Sequence, residues 1–505
     1  MKIDLFANKS YIKLRDYQDN TVSKLAKNMR IGMRKQVMCA PTGAGKTVMF
    51  SWMASENIER GFTPIVVVNR EQLVDQCVKT FQAFGLNPGT LKGGTDIQGG
   101  HDSYVCMVET MYLRMEQKHS YFSDHNVNLY ILDEAHNRCY EKLLKMLDEN
   151  SYVLGVTATP LFNTPGESMK NLYDGIVCES DITDLINRNF LCQDKTFGFG
   201  YDLSAIKSSG KEFNIQDQKD VFESNELLNG VVENHRRICP WTKTLVYNLD
   251  IEHNDAVANE FKSAGYTVGV LHSKMSKDEK DTVLTRFSQN KFQVLCNVGI
   301  LTAGYDEPTV SCVVQNFCTK SATKYFQTAG RGSRKSNETV IWSGDTCSVE
   351  RIEKKEFFIL DMGANYTRFG LWSDPYDWVT VFNNGRQVRK KLTTKACPKC
   401  SNVFNGNKCT TTGCDYEVQV ESKPKQVKEK RRKGPVRLEL QNGRSVENPH
   451  RPRTLQYWCW VAAVKGYKPG WVHYRTGQKY SWPKIIKEIA VQKDRVNNEK
   501  ISAQA

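Results

Sequence analysis

The stretch APTGAGKT, Ala40 to Thr47, lies between a short apolar run, Val37 to Ala40, and a segment in which Val48, Phe50, Trp52, Met53 and Ile58 recur at helix-like spacing. A strand that passes through a glycine-bearing loop straight into a helix is the setting a phosphate loop needs. Backbone N–H groups of the loop and of the helix N-terminus then face the phosphates. In this reading Lys46 supplies positive charge to the β- and γ-phosphates, the Thr47 hydroxyl ligates Mg2+, and Thr42, Gly43 and Gly45 line the loop. The plainer alternative is an ordinary glycine-rich turn, against which strand, helix and Gly-Lys-Thr argue together. The first glycine of the general pattern is Ala40 here.

Downstream, VNLYILDEAHN reads as a buried strand through Val127, Leu129, Ile131 and Leu132 that ends in Asp133-Glu134. A carboxylate pair at the C-terminal end of a strand fits the metal-binding and water-orienting half of a nucleotide hydrolase. Asp133 would hold Mg2+ through water, and Glu134 would position or deprotonate the attacking water. The second half alternates again: a strand over Leu245 to Tyr247, a helix over Asn254 to Ala264, a strand over Val268 to Leu271, a helix in KDEKDTVLTRF, then a strand and loop in FQVLCNVGILTAGYDEP. Such alternation implies a parallel sheet covered on both faces. In FQTAGRGSRKS, Gln327, Arg331 and Arg334 are spaced by four and three, which in a helix puts them on one face. Two arginines on one face, remote from any nearby carboxylate, suggest an anion site; the plain reading is surface arginines on an exposed helix. The bridge from Phe162 to Trp241 carries no pattern that assigns it.

Taken in order, these segments resemble the motifs of superfamily 2 helicases, and within them the DEAH-type, XPB-like phage and bacterial group. APTGAGKT resembles motif I and DEAH at 133–136 motif II. LRDYQ at 14–18 resembles the adenine-recognition segment, with Gln18 at the base edge, and VVVNREQLVDQ at 66–76 resembles motif Ia, which includes Arg70. Gly93-Gly94 and Glu109-Thr110 fall where Ib-type strand contacts occur. TATP at 157–160 resembles motif III, so that His136, Thr157 and Thr159 would couple nucleotide state to the nucleic-acid track. VLCNVGILTAGYDEP resembles motif V, which would place Thr302 on the nucleic-acid backbone and Gly304 and Asp306 on the nucleotide side. QxxGRxxR resembles motif VI, whose Arg331 and Arg334 would reach the γ-phosphate across a cleft with Gln327 beside them. ILDMGANYTRFG at 359–370 is similar to the segment that closes the second motor domain in this group. The departures are Thr157 for a more usual Ser and Glu109 for a common Gln.

The resemblance implies two tandem RecA-like parallel-sheet α/β domains, at 1–165 and 241–385, joined by a bridge at 166–240. It implies ATP and Mg2+ as ligands and a nucleic-acid-stimulated ATPase that moves on DNA, single-stranded or branched. The motor motifs do not distinguish DNA from RNA, so an RNA helicase is the alternative. A restriction-type motor subunit is another, although no nuclease constellation is evident.

Beyond the motor, 27 of the 70 Lys and Arg but 9 of the 56 Asp and Glu lie from Arg386 onward, so this last part is net +18 and the rest net −4. A basic tail on a near-neutral body suggests an anionic partner, most often nucleic acid; the bland reading is a solvated tail. Within it, CPKCSNVFNGNKCTTTGC sets Cys397 and Cys400 as one close pair and Cys409 and Cys414 as another. Four thiolates on two turns suit tetrahedral Zn2+ in a small ribbon at 386–420. A redox pair lacks a βαβ setting, and the other cysteines of the sixteen are mostly scattered singly, as in a reducing compartment where disulfides are rare. A basic linker at 421–453, KPKQVKEKRRKGPVR, would hold phosphates; an aromatic and basic module at 454–505 would either stack on unpaired bases or bury its rings in a helical core. Similar ribbons and KGYKPGW tails follow the motor in the phage and bacterial group. No run approaches the ~18–20 apolar residues of a membrane span, and MKIDLFANKSY lacks signal-peptide features. A cytoplasmic chain is expected, in the host cytoplasm if a phage encodes it.

Overall fold

The computed structural model describes residues 13–93, 99–116, 126–162, 167–302, 305–385, 393–418, 437–439, 445–447, 454–476 and 479–502. Two parallel sheets organise the first 418 residues, which form one compact unit. The first sheet contains β1 (Lys35–Cys39), β2 (Ile65–Val68), β3 (Pro88–Leu91), β4 (Ser103–Met107), β5 (Leu129–Asp133), β6 (Tyr152–Thr157) and β7 (Gly175–Val177). Its order is β3-β4-β2-β5-β6-β1-β7. Strands β2 and β5 are buried along their whole length, as strands covered on both faces must be. Parallel register puts Cys39 beside Thr157 and Asp133 beside Val156. The turns that follow β1, β5 and β6 therefore leave from one edge of the sheet. Those turns are the phosphate loop, Asp133-Glu134 and Thr157–Thr159.

The second sheet is ordered β12-β13-β11-β14-β17-β8, again parallel. Its strands are β11 (Thr244–Tyr247), β12 (Val268–Leu271), β13 (Val294–Asn297), β14 (Cys312–Gln315) and β17 (Glu356–Asp361), with β12 at one edge. The strand at the other edge, β8 (Gln193–Gly198), comes from the bridge. Two hairpins lie outside this sheet: β9 (Ser208–Ser209) with β10 (Glu212–Phe213), and β15 (Thr339–Ser343) with β16 (Thr346–Glu350).

The lobes share one apolar core. Tyr325, Phe326, Phe357 and Trp372 from the second lobe join Met38, Phe50 and Leu25 from the first, through Leu185, Leu191 and Cys192 of the bridge. The helix Trp378–Asn384 then returns to the first lobe, where Phe382 packs with Met169 and Tyr173, and Ser168 donates its hydroxyl to the Phe382 carbonyl at 2.5 Å. The turn after β17 is fixed by a buried carboxylate. Asp361 accepts from Asn365 Nδ2 at 2.8 Å and from the Tyr366 amide at 2.7 Å.

One element departs from the sequence reading. Gln327, Arg331 and Arg334 do not share a helical face. The helix Ala322–Ala329 ends before the first arginine, Arg331 lies in a single 3-10 turn, and Arg334 pairs in an isolated antiparallel bridge with Leu191. The cause is crowding by other elements. A Cβ on Gly330 would lie 2.8 Å from Thr42 Cβ, and one on Gly332 would lie 2.4 Å from Phe357 Cδ2. The chain is pressed between the first lobe and β17, and the helix gives way.

After the second sheet, β18 (Lys395–Ala396) and β19 (Val403–Phe404) form a short antiparallel ribbon. It docks on β8: Phe197 bridges Asn402, and the Gly198 amide donates to the Ser401 carbonyl at 2.9 Å. The second compact unit begins after Val418. Its described parts are the strands Arg437–Glu439 and Ser445–Glu447 and the helices Leu455–Lys465, Pro469–Arg475 and Trp482–Ser502. Among the described residues no helix is long and apolar enough to cross a membrane.

Trp372 is 1% exposed and donates its indole N–H to the Phe326 carbonyl at 3.2 Å. Trp372→Ala should cost about 3–5 kcal/mol, read as a lowered urea midpoint for the motor; an unchanged midpoint would show that this shared core does not hold the lobes.

Candidate functional site

Strand β1 delivers the phosphate loop and the helix Lys46–Glu59 receives it. Gly43 and Gly45 take positive φ, 85° and 76°, a region that favours residues without a Cβ. Lys46 Nζ donates to the carbonyls of Ala40 and Pro41 at 3.2 and 3.3 Å. Thr42 is buried and Thr47 half-buried at the helix start. Burial pushes the Lys46 ammonium below its usual range, opposed by the charges of Glu134 and Asp133.

Asp133 ends β5 in full burial. Its carboxyl is pushed up to about 7, first by burial and then by the charge of Glu134. Glu134 stands at φ 52°, an unusual value for a residue with a side chain. This turn brings its carboxylate to the second lobe, where Gln327 Nε2 donates to Glu134 Oε2 at 3.0 Å. His136 Nδ1 lies 2.9 Å from Thr157 Oγ1 and 3.4 Å from Glu134 Oε2. Thr157 Oγ1 accepts from the Thr159 amide at 3.0 Å and lies 3.2 Å from the Thr159 carbonyl. The hydroxyl has one proton. If that proton goes to the carbonyl, His136 must carry its own proton on Nδ1, and the network is satisfied. Burial holds His136 neutral by lowering its pKa.

From the second lobe, Arg331 donates through Nη1 to the Tyr305 carbonyl at 2.6 Å. Arg334 is not remote from carboxylates: its Nε pairs with Asp306 Oδ1 at 2.6 Å. Its buried Nη1 has no hydrogen-bond partner among the described residues. Burial, then the neighbouring charge of Arg331, lowers its pKa to about 10. A buried N–H left unpaired in an arginine is costly, and an incoming anion would satisfy it.

The structure thus brings together Lys46, Thr42, Asp133, Glu134, His136, Thr157, Thr159, Gln327, Arg331, Arg334 and Asp306. It sets the expected nucleic-acid residues apart. Arg70 caps the helix after β2, Gly93 is exposed after β3, and Thr110 lies in the helix after β4. In the sheet order these strands lie to one side of β5, and β1, β6 and the phosphate loop lie to the other. All follow the C-terminal ends of parallel strands, where such sheets bind ligands. On that side Lys277 of the second lobe lies 3.7 Å from Glu71 and 3.8 Å from Asp75 of the first. Gly94 and Gly304 lie outside the described residues, as does the side chain of Thr302, whose backbone ends the turn Ile300–Thr302.

Gln18 has a second task. Its Nε2 donates to the Ala44 carbonyl at 3.1 Å and its Oε1 accepts the Arg15 amide at 3.0 Å, so it ties the helix Asp16–Arg30 to the phosphate loop. Tyr17 adds a bond to the same carbonyl at 2.8 Å. Around them the bridge contributes residues that the sequence did not single out. The Phe190 ring lies 5.1 Å from Tyr17, with the guanidinium groups of Arg15 and Arg188 4.8 and 5.3 Å from Phe190.

Lys354 was equally hidden. It is 4% exposed, and its ammonium donates to the carbonyls of Pro308, Val310 and Gly332 at 2.5, 2.7 and 3.0 Å. It joins the loop after Asp306 to the turn that carries Arg331. In the sequence it is one charge in RIEKKEFF, with nothing to mark it as buried.

The four cysteines converge: Cys397 and Cys414 Sγ are 3.7 Å apart, Cys400 and Cys409 Sγ 3.6 Å, and all four lie within 4.8 Å of one another. Tetrahedral zinc with Zn–S near 2.3 Å asks for sulfurs roughly 3.8 Å apart, so the residues fit that ion.

Residues 11–162 match the family described as "Type III restriction enzyme, res subunit", and residues 227–336 match "Helicase conserved C-terminal domain". The fold and site define a two-lobed α/β protein whose glycine-bearing loop and paired carboxylates meet the second lobe; with these matches, the chain belongs to the superfamily 2 helicases. It is 26% identical over 344 residues to IRC3 of Saccharomyces cerevisiae, named for an ATP-dependent helicase; the match covers 64% of this chain and 49% of the yeast protein, so the chain spans about half that relative's length. It is 24% identical to the "51.5 kDa protein" of a Lactococcus phage, over 77% of this chain and 79% of that one. It is 23% identical to "DNA 3'-5' translocase XPB2" of Sulfurisphaera tokodaii, over 66% of this chain and 81% of that one.

Burial pushes Lys354 down to about 7, whereas an unfolded lysine titrates near 10.4. Between those values the unfolded chain holds a proton that the folded chain has released, so this residue's contribution to stability rises with pH. Relative to Lys354→Met, wild type should gain stability in urea titrations as pH rises from 7 to 9.5, by at most about 2–3 kcal/mol, since the three carbonyls favour the charged form. A difference independent of pH would refute the assignment.

Proposed function

We propose that the chain is an ATP-driven translocase or helicase on DNA, working in phage DNA replication, recombination or repair. The observation that carries this reading is the contact of Gln327 with Glu134, through which the second lobe would complete a phosphate site begun by the first. Bound Mg2+ would neutralise phosphate charge, held by Thr47 and Asp133. Lys46 would take the β- and γ-phosphates, and Arg331 and Arg334 would meet the charge that develops on the transferred group. Glu134, held in place by Gln327 and His136, would orient the attacking water and take its proton. Gln18, Phe190, Arg15 and Arg188 would flank the base. Hydrolysis would loosen the arginines and let the lobes part. The positions after β2, β3, β4 and β13 would then grip the strand in alternation.

DNA is favoured over RNA by the similarity to the DNA translocase of Sulfurisphaera tokodaii, and phage origin by the phage relative and by the ribbon and tail. The Res-subunit match supports a second reading, the motor of a restriction-type complex, which would need a nuclease partner. Cys397, Cys400, Cys409 and Cys414 would hold Zn2+ as a staple for a ribbon too small to build its own core. The cytoplasm, or that of a phage host, is the corresponding location.

Lys46→Ala should abolish ATP hydrolysis, and Glu134→Gln should lower DNA-stimulated turnover by about 10²-fold or more. Near wild-type turnover in either variant would sink the reading. Single-stranded DNA, forked DNA and RNA compared at one salt concentration should show stronger stimulation by DNA; preference for RNA would overturn the DNA assignment. Metal analysis should find one zinc per chain in wild type and none in a Cys400→Ala, Cys409→Ala variant. Zinc-free wild type after metal-free handling would refute the site.

A further inference from the structure

The stretch from Thr454 to Lys487 carries Lys465, Lys468, Arg475, Lys479, Lys484 and Lys487 and not one Asp or Glu. It is also dense in aromatic rings, and the structure sorts these into two groups. Trp460 is fully buried, and Trp458 and Trp471 pack against the core formed by Leu455, Cys459, Val472, Ile485 and Ile489. These rings build the small helical fold. Tyr474 and Trp482 do not. They are 76% and 49% exposed.

Their settings differ from that of a stray surface ring. Trp482 is stacked on His473, with centroids 4.9 Å apart and planes 27° apart. The His473 Nδ1 lies 3.1 Å from the Tyr480 carbonyl, which fixes the imidazole that backs the indole. One face of Trp482 is thus supported from behind. Cations lie in the same module, over its other rings. Arg475 neighbours Tyr474 in sequence and lies over Trp458 and Trp471, at 5.6 and 5.3 Å; the Lys484 ammonium lies 5.3 Å from the Tyr480 ring. Lys479 is exposed in the same connection. The first carboxylate along the chain, Glu488, accepts from Gln492 at 2.7 Å.

We propose that Trp482, backed by His473, and the exposed Tyr474 each stack an unpaired base of a nucleic-acid strand, with Arg475, Lys479 and Lys484 of the same module meeting its phosphates. The bases stack on the rings and the phosphates meet the cations. The partner must be a polyanion, because the stretch offers positive charge with no negative charge to recognise a mixed protein surface. It must present flat faces, because a backed indole and an exposed phenol offer flat faces in return. Duplex bases are stacked on one another and cannot supply them; an unpaired strand can. The choice of nucleic acid rests on the motor reading above, but the stacking site is separate from the nucleotide cleft. It would hold a strand whatever the nucleotide state.

The test uses the full chain, a labelled oligothymidylate and a matched duplex, without nucleotide. The double variant Tyr474→Ala, Trp482→Ala should raise Kd for the single strand by about ten-fold or more and change duplex binding far less. Tyr474→Phe with Trp482→Phe should restore strand binding, since stacking needs the ring. Lys479→Gln with Lys484→Gln should lower the salt slope by roughly one to two. Basal ATPase should be unchanged in all three. An unchanged Kd in the alanine variant overturns the proposal. So does an equal loss on strand and duplex, which would mean phosphate contact without stacking, and so does loss of binding to anionic vesicles with strand affinity intact, which would assign the face to a membrane. If wild type hydrolyses no ATP but the alanine variant still loses the strand, the motor reading fails and the stacking site stands.

Discussion

Two loops from different sheets occupy one small volume, and much of the rest is arranged around that constraint. Gly330 approaches Thr42 so closely that a single added carbon would collide with it. Gln327 reaches Glu134 across the same gap. Charges of both signs are buried or half-buried there: Lys46, Arg331 and Arg334 with Asp133 and Glu134. Burying them is expensive unless each is paired. The pairing is incomplete, since one N–H of Arg334 is left over and Asp133 is pushed towards neutrality. Such a site is poised for a polyanion with a divalent cation, which would supply acceptors to the arginines and charge to the carboxylates together.

The sequence disclosed the parts of this site that lie next to periodic elements. APTGAGKT and ILDEAH each follow a run of apolar residues that can only be a buried strand, so the strand ends, and with them Lys46, Asp133 and Glu134, were legible. The alternation from Leu245 onward disclosed the second sheet in the same way. The arginines were found but their geometry was not. A spacing of four and three says helix, and nothing local says that Thr42 and Phe357, hundreds of residues away or newly arrived from β17, would crowd the chain out of one.

The bridge was opaque for a different reason. Strand β8, QDKTFG, buries Asp194, Thr196 and Gly198 and exposes Gln193 and Lys195. Its alternation is real, but the buried face is polar or bare. Thr196 donates to Asp194 at 3.0 Å, which makes that burial tolerable, and Tyr366 fills the space beside Gly198. A pattern of hydrophobicity cannot show a strand whose inner face is not hydrophobic. The same holds for Lys354, whose burial is compensated by three carbonyls that belong to other elements, and for Phe190, which becomes meaningful only beside Tyr17.

The two ways in which the lobes meet differ in kind, and that difference bears on motion. Along the bridge a large apolar contact, Leu185 and Leu191 with Tyr325, Phe357 and Trp372, and Phe382 with Tyr173, is joined by hydrogen bonds such as that of Ser168 to the Phe382 carbonyl. Separating these would expose surface at about 25 cal/mol per Å², with nothing to offset it. Across the cleft the contacts are polar: Gln327 with Glu134, and Lys277 with Glu71 and Asp75. Water can replace a hydrogen bond to a carboxylate for a net cost of about 1.5–3 kcal/mol, and the exposed Lys277 pairs are worth less still. Opening at the cleft is therefore cheap, and opening at the bridge is not. A body joined by an apolar seam on one side and by exchangeable polar contacts on the other opens as a hinge.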